Sequence, residues 1–151
     1  MILLSVILMI VGILLSAFFS GSETGFYRAS RVRMVIASLE GDRIATNLLR
    51  LVNNPALFVA TTLIGNNVAN YLTSLAIVLL IQALAGSALL EMIAPVLLSP
   101  LLFVYGELLP KNLFFYAPDR LLRWVAPVFM MFTLLFAPAV ALLWLLSRGL
   151  E

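Results

Sequence analysis

The chain alternates long apolar runs with short polar interruptions, and the length of each run limits what it can be. Ile2 to Phe19 carries no charge and only Ser5, Gly12 and Ser16 as small residues. As a helix it rises about 27 Å, enough to cross the hydrocarbon core of a bilayer. A cleaved leader would begin with a basic segment, and no Lys or Arg precedes this run, so a transmembrane helix is expected. Pro55 opens a second helix that should reach Leu84. Its first half is polar for a span (Thr61, Thr62, Gly65, Asn66, Asn67, Asn70, Thr73), and its second half is almost wholly apolar. Ala85-Gly86-Ser87 reads as a turn. Leu89 to Leu109 reads as a third span, interrupted by Pro95 and Pro100 and ended by Pro110 and Lys111.

Two segments are harder to place. Between the first two spans, Val32, Val35, Ile36 and Leu39, then Ile44, Leu48, Leu49 and Val52, recur at helical spacing, with Gly41-Asp42 as the turn between them. After the third span, Leu122 to Leu146 is long enough to cross, but Pro127 and Pro138 break it and arginines (Arg120, Arg123, Arg148) flank both ends. A bent, partly inserted juxtamembrane segment keeps both ends on one side, and a fourth full crossing is the alternative. The expected fold is an all-α membrane protein with three transmembrane helices, short cytoplasmic amphipathic helices and a Pro-broken juxtamembrane helical segment.

Composition agrees with this pattern and narrows the chemistry. Of 151 residues 64% are hydrophobic and only 11% charged, where a soluble domain carries about a quarter charged. There is no cysteine and no histidine, so disulfides, thiolate chemistry and imidazole ligands drop out. A metal site in this chain must be built from oxygen, which suits Mg²⁺, Ca²⁺ or Na⁺. The net charge of +2 matters less than its placement. Arg28, Arg31, Arg33, Arg43 and Arg50 crowd the loop after the first span and mark it as cytoplasmic, which puts the N-terminus outside. Flanking spans make membrane anchoring, rather than nucleic-acid binding, the reading of that basic cluster.

Three polar interruptions stand out within the apolar runs: Ser20-Gly21-Ser22-Glu23-Thr24-Gly25, Gly65-Asn66-Asn67-Val68-Ala69-Asn70 and Gly106-Glu107-Leu108-Leu109-Pro110-Lys111. An acid at membrane depth is costly and marks a candidate site, which singles out Glu107. Asn66 and Asn70, four apart, share a helix face, and Asn67 is rotated away. The plainer reading of these amides is hydrogen-bonded packing between helices. The glycines flanking Ser20 to Thr24 suggest a helix that is broken or bulged and frees carbonyls near Gly21. Alternatively, Ser22 caps a new helix. Helix rise puts Ser20 about 27 Å, Glu107 about 28 Å and Asn70 about 22 Å from the outer ends of their spans, so the three motifs can meet. The predicted cation site takes oxygens from Ser20, Ser22, Asn66, Asn70 and Glu107 with carbonyls near Gly21 or Gly106. Glu23 stands nearby as a secondary acid.

The motifs S-G-S-E-T, G-N-N-V-A-N and G-E-L-L-P-K, in this order, closely resemble the membrane domain of the CNNM/CorC family of magnesium transporters. The resemblance covers nearly all of the chain, residues 1–151. It implies Mg²⁺ export with Na⁺ as the coupling ion, a homodimer, three spans per subunit, an outside N-terminus in the plasma (bacterial inner) membrane, and cytosolic CBS and CorC-type domains beyond the chain. It places ligand roles on Ser20, Ser22, Asn66, Asn70 and Glu107. The chemistry expected is transport, not catalysis: Ser22 beside Glu23 has no histidine or lysine near in sequence to activate it. A non-transporting membrane Mg²⁺ sensor or scaffold that regulates a partner would use the same site and is the competing reading.

Overall fold

The structure, a computed structural model, describes residues 1–84 and 87–148, with side chains described to residue 142. The expected turn at Ala85-Gly86 and the chain end at 149–151 lie outside the described residues. The chain forms α1 (Ile2–Arg28), α2 (Arg31–Leu39), α3 (Arg43–Val52), α4 (Pro55–Leu84), α5 (Ala88–Phe103), a π-helical turn (Val104–Leu108), α6 (Leu109–Tyr116) and α7 (Pro118–Arg148). Among the described residues all regular structure is helical. Four stretches are long and apolar enough to cross a membrane: Ile2–Arg28, Pro55–Leu84, Ala88–Tyr116 and Pro118–Leu142.

Local chemistry sets the helix boundaries at the arginine-bearing end. The Ser30 hydroxyl accepts from the Arg33 N–H at 3.5 Å and opens α2. Asp42 Oδ1 accepts from the N–H groups of Ile44 (2.9 Å) and Ala45 (3.3 Å) and opens α3. Between them Gly41 takes φ +90°, a conformation that favours glycine. The same Asp42 pairs through its other oxygen with Arg123 of α7. The backbone bonds, that from Ala45 first, and Arg123 hold its carboxyl below the usual carboxylate range against the opposing effect of desolvation. Asp119, at the start of α7, accepts from the Ser30 N–H and from Arg33, both at 2.9 Å. Met34, Leu48, Leu122 and Ala126 fill the space beneath these polar ties. The hairpin of α2 and α3 is thereby fastened to the first turns of α7.

α1 is the central helix, packed chiefly on α4 and also on α6, α7 and the π-turn. Lipid offers no hydrophobic drive for this contact, so close packing of small residues has to supply it. Gly12 lies against Thr73 and Ala69, and Gly65 receives the ring of Phe19. Phe58 stacks between Phe26 (centroids 3.6 Å apart) and Phe129 (4.8 Å), and Phe19 meets Phe132 edge-on at 5.0 Å. One aromatic cluster thus joins α1, α4 and α7.

Three expectations are corrected. α1 neither ends at Phe19 nor breaks at Ser20–Gly25; it runs on to Arg28. Gly21 and Gly25, one turn apart, form a flat strip that takes the ring of Phe114, where a Cβ would stand 2.6 Å from ring carbons at either position. The third span does not stop at Pro110 but continues through α6 to Tyr116, because Pro110 falls in the first turn after the π-turn, where its missing N–H breaks little. α7 is continuous through Pro127 and Pro138. The irregular backbone predicted in α1 lies instead in the third span, at Val104–Leu108.

Candidate functional site

A cavity of about 350 Å³ opens between α1, α4 and the third span, and each wall contributes small polar groups. α1 gives Ser16, α4 gives Asn70, Thr73 and Ser74, and α5 with the π-turn gives Ser99, Gly106 and Glu107. Ile13, Pro95, Leu102 and Phe103 complete the lining, so Glu107 is its one charged side chain among the described residues.

Helix geometry explains the meeting of α1 and α4. Asn66 and Asn70 lie on one face of α4 and present their side-chain oxygens to the same atom: Ser16 Oγ stands 3.3 Å from Asn66 Oδ1 and 3.5 Å from Asn70 Oδ1. A serine hydroxyl has one proton, so it serves one amide oxygen at a time. The cluster therefore keeps oxygen lone pairs free, which is what a hard cation requires. Asn67 points away and is exposed.

Ser20 lies one turn further along α1 on the same face as Ser16. It is fully buried, and its hydroxyl has no hydrogen-bond partner among the described residues. Such a group costs about 1–3 kcal/mol. Other hydroxyls in the bundle avoid the cost by donating to the carbonyl four residues back. Ser22 does so to Phe18 at 2.6 Å, Thr61 to Leu57 at 2.8 Å and Thr73 to Ala69 at 2.9 Å. Ser22 is thus satisfied within its own helix, Gly21 is a packing surface for Phe114, and Glu23 is half-buried on α1 outside the cavity lining. Of the first motif, Ser20 alone has a buried hydroxyl without a partner among the described residues, and it too stands outside the cavity lining.

The third wall depends on the π-turn. The Leu109 N–H bonds to Val104 O, five residues back, which widens the helix where it meets α1. Pro110 has no N–H, so it cannot give the Gly106 carbonyl the helical bond that residue 110 would normally supply. At Gly106 itself a Cβ would stand 3.2 Å from Ser16 Oγ, so glycine brings this backbone up to the serine. Glu107 follows directly and carries an ion pair with Lys111, Nζ to Oε1 2.8 Å, with both side chains partly buried. Among the described residues no three acids gather as a metal cluster. The site combines one carboxylate with several neutral oxygens, a donor set that fits a hard cation.

Of the three motifs, the second brings Asn70 and the third Gly106 and Glu107 to the cavity lining, whereas no residue of Ser20–Gly25 lines it. Ser16, Thr73, Ser74 and Ser99 are additions to the lining, and Lys111 joins through its ion pair with Glu107. Ser16 was detectable, four residues before Ser20 and hence on its face. Lys111 was detectable in the same way, four residues after Glu107, and Thr73 as one of the polar residues of the second span, whereas Ser74 and Ser99 carry no local signal.

Residues 7–151 match the CNNM family, described as the Cyclin M transmembrane N-terminal domain. Similar proteins include the UPF0053 inner membrane protein YfjD of Escherichia coli (strain K12), 34% identical over 106 residues, which are 70% of this chain and 24% of that protein. A UPF0053 protein of Haemophilus influenzae is 33% identical over 106 residues, 70% of this chain and 25% of that protein. The chain thus spans about a quarter of the length of the curated relatives it matches.

Proposed function

Because this chain belongs to the CNNM family and is a multi-pass membrane protein, we propose that it forms the membrane domain of a Mg²⁺ transporter whose ion passes through the cavity at Glu107. One observation carries the reading: Ser16 and Asn70 line a cavity with Gly106 and Glu107, and the Ser16 hydroxyl lies within 3.5 Å of the side-chain oxygens of both Asn70 and Asn66. Mg²⁺ takes six oxygens and gives up water reluctantly. Here Asn66, Asn70, Glu107, the Gly106 carbonyl and a hydroxyl of Ser16 or Ser20 are the donors, and the cavity has room for the water the ion keeps. The unpaired Ser20 hydroxyl supports this, since a bound ion or its water would give it a partner.

In this reading the ion moves outward by alternating access with Na⁺ as the coupling ion, and two copies work together. On this reading the arginines of α2 and α3 and those in the first turns of α7, which are tied to α2 and α3 through Asp119 and Asp42, lie on the cytoplasmic side, and the first three stretches cross. The greater length of the relatives leaves room for the cytosolic CBS and CorC-type domains.

The test is Mg²⁺ flux into proteoliposomes that contain only this protein and an entrapped Mg²⁺-sensitive dye. Wild type should show saturable flux, and Glu107→Gln should abolish it while expression and particle size stay unchanged. Wild-type flux in that variant would falsify the assignment of Glu107. Binding without flux in the wild type would favour a sensor or scaffold.

A further inference from the structure

We propose that Lys111 is a tethered cation that competes with the transported ion for Glu107 and so sets how tightly that ion is held. The proposal rests on the reading of Glu107 as the ion's anionic ligand. Lys111 Nζ lies 2.8 Å from Glu107 Oε1, and the two side chains are 38% and 29% exposed. Among the described residues Lys111 is the only cation that pairs with Glu107, and Glu107 is the only charged group in the cavity lining. The carboxylate of the unliganded site is therefore neutralised from within the chain.

A divalent ion that reaches Glu107 meets an ammonium already on the same carboxylate. Two cations at that range repel, and the lysine is the one free to leave. Its backbone is held, because Pro110 and Phe114 on either side are buried and Phe114 is seated on Gly21 and Gly25 of α1. Its head is a point charge on a flexible four-carbon stem, with no planar fork to lock it to the carboxylate. Ion binding thus means that the ammonium swings out, and ion release is completed by its return. Part of the ion's intrinsic affinity is spent on breaking the pair, which keeps a deep oxygen site from trapping its cargo.

The arrangement gives a readout that structural damage cannot imitate: removing the lysine charge tightens binding. Mg²⁺ titration calorimetry on the whole chain in detergent, at fixed ionic strength, compares wild type with Lys111→Met, Lys111→Arg and Glu107→Gln. Lys111→Met should bind Mg²⁺ about two- to fivefold more tightly, the range expected for a partly exposed ion pair. Lys111→Arg, which keeps the charge, should bind no more tightly than wild type. If Lys111→Met does not fold, Lys111→Gln makes the same measurement; if neither neutral variant folds, Lys111 is structural and the proposal is overturned. Affinity in the neutral variant that is within twofold of wild type, or weaker, also overturns it, provided Glu107→Gln still weakens binding. If Glu107→Gln binds as wild type does, the site reading itself has failed and the lysine has nothing to compete for.

Discussion

At the scale of single residues, the site depends on which oxygens remain free once the helices are packed. Asn66 and Asn70 share Ser16 as a neighbour, whereas Asn67 is exposed on another face of α4. Loss of an outer-shell partner alone commonly costs about tenfold or more in metal affinity. Asn66→Ala or Asn70→Ala should therefore weaken Mg²⁺ binding by about tenfold or more, and Asn67→Ala much less, as measured by calorimetry on the three purified variants. Equal losses at all three positions would assign the amides to helix packing. The shared face of Asn66 and Asn70 and the half-buried acid at Glu107 were legible because helical spacing and the cost of charge in lipid are properties of sequence. The unpaired state of Ser20 was not. Ser20 and Ser22 look alike along the chain, and only the packed structure distinguishes the hydroxyl bonded to Phe18 from the one left without a partner.

At the scale of elements, glycines decide how closely the helices approach. Gly65 on α4 has the Phe19 ring directly over it, and Phe19 is only 1% exposed, wedged among Phe18, Phe129 and Phe132. A methyl at position 65 would clash with ring atoms that have nowhere to move. Gly65→Ala should cost about 1–3 kcal/mol, the usual range for overpacking, and should lower the midpoint of thermal unfolding in detergent. An unchanged midpoint would mean that α1 and α4 are held by something other than this contact. The sequence invited a different use of glycine, as a breaker at Gly21 and Gly25. In lipid a broken helix strands backbone polar groups, so the same residues serve better as a socket on an intact helix. The π-turn had no comparable signal, because the shift at Val104–Leu108 alters no hydrophobic period over so short a stretch. Likewise, Pro127 and Pro138 mark where a helix would break in water, yet α7 passes through both.

At the scale of the whole molecule, one chain leaves its polar cavity incompletely walled. α5 buries no residue, and the exposed surfaces of α4 and α5 carry both apolar side chains (Tyr71, Leu75, Leu97, Leu101) and polar ones (Asn67, Asn70, Ser74, Ser99). Lipid can cover the first group but cannot satisfy the second. A second copy related by a two-fold axis is the commonest way to supply the missing wall, because one patch then covers its own image. The predicted outcome is a dimer through the second and third spans, with a particle mass in detergent near twice 16.6 kDa once bound detergent is subtracted. The chain has no cysteine, so Leu97→Cys offers an independent check: a new thiol on the exposed side of α5 can cross-link only to its own copy. The two measurements together separate a working dimer from a detergent artefact, since a chance association has no reason to bring the same face of α5 together. A monomer that binds Mg²⁺ with unchanged affinity would remove the partner from the mechanism, because the oxygens of Ser16, Asn66, Asn70 and Glu107 would then suffice within one chain.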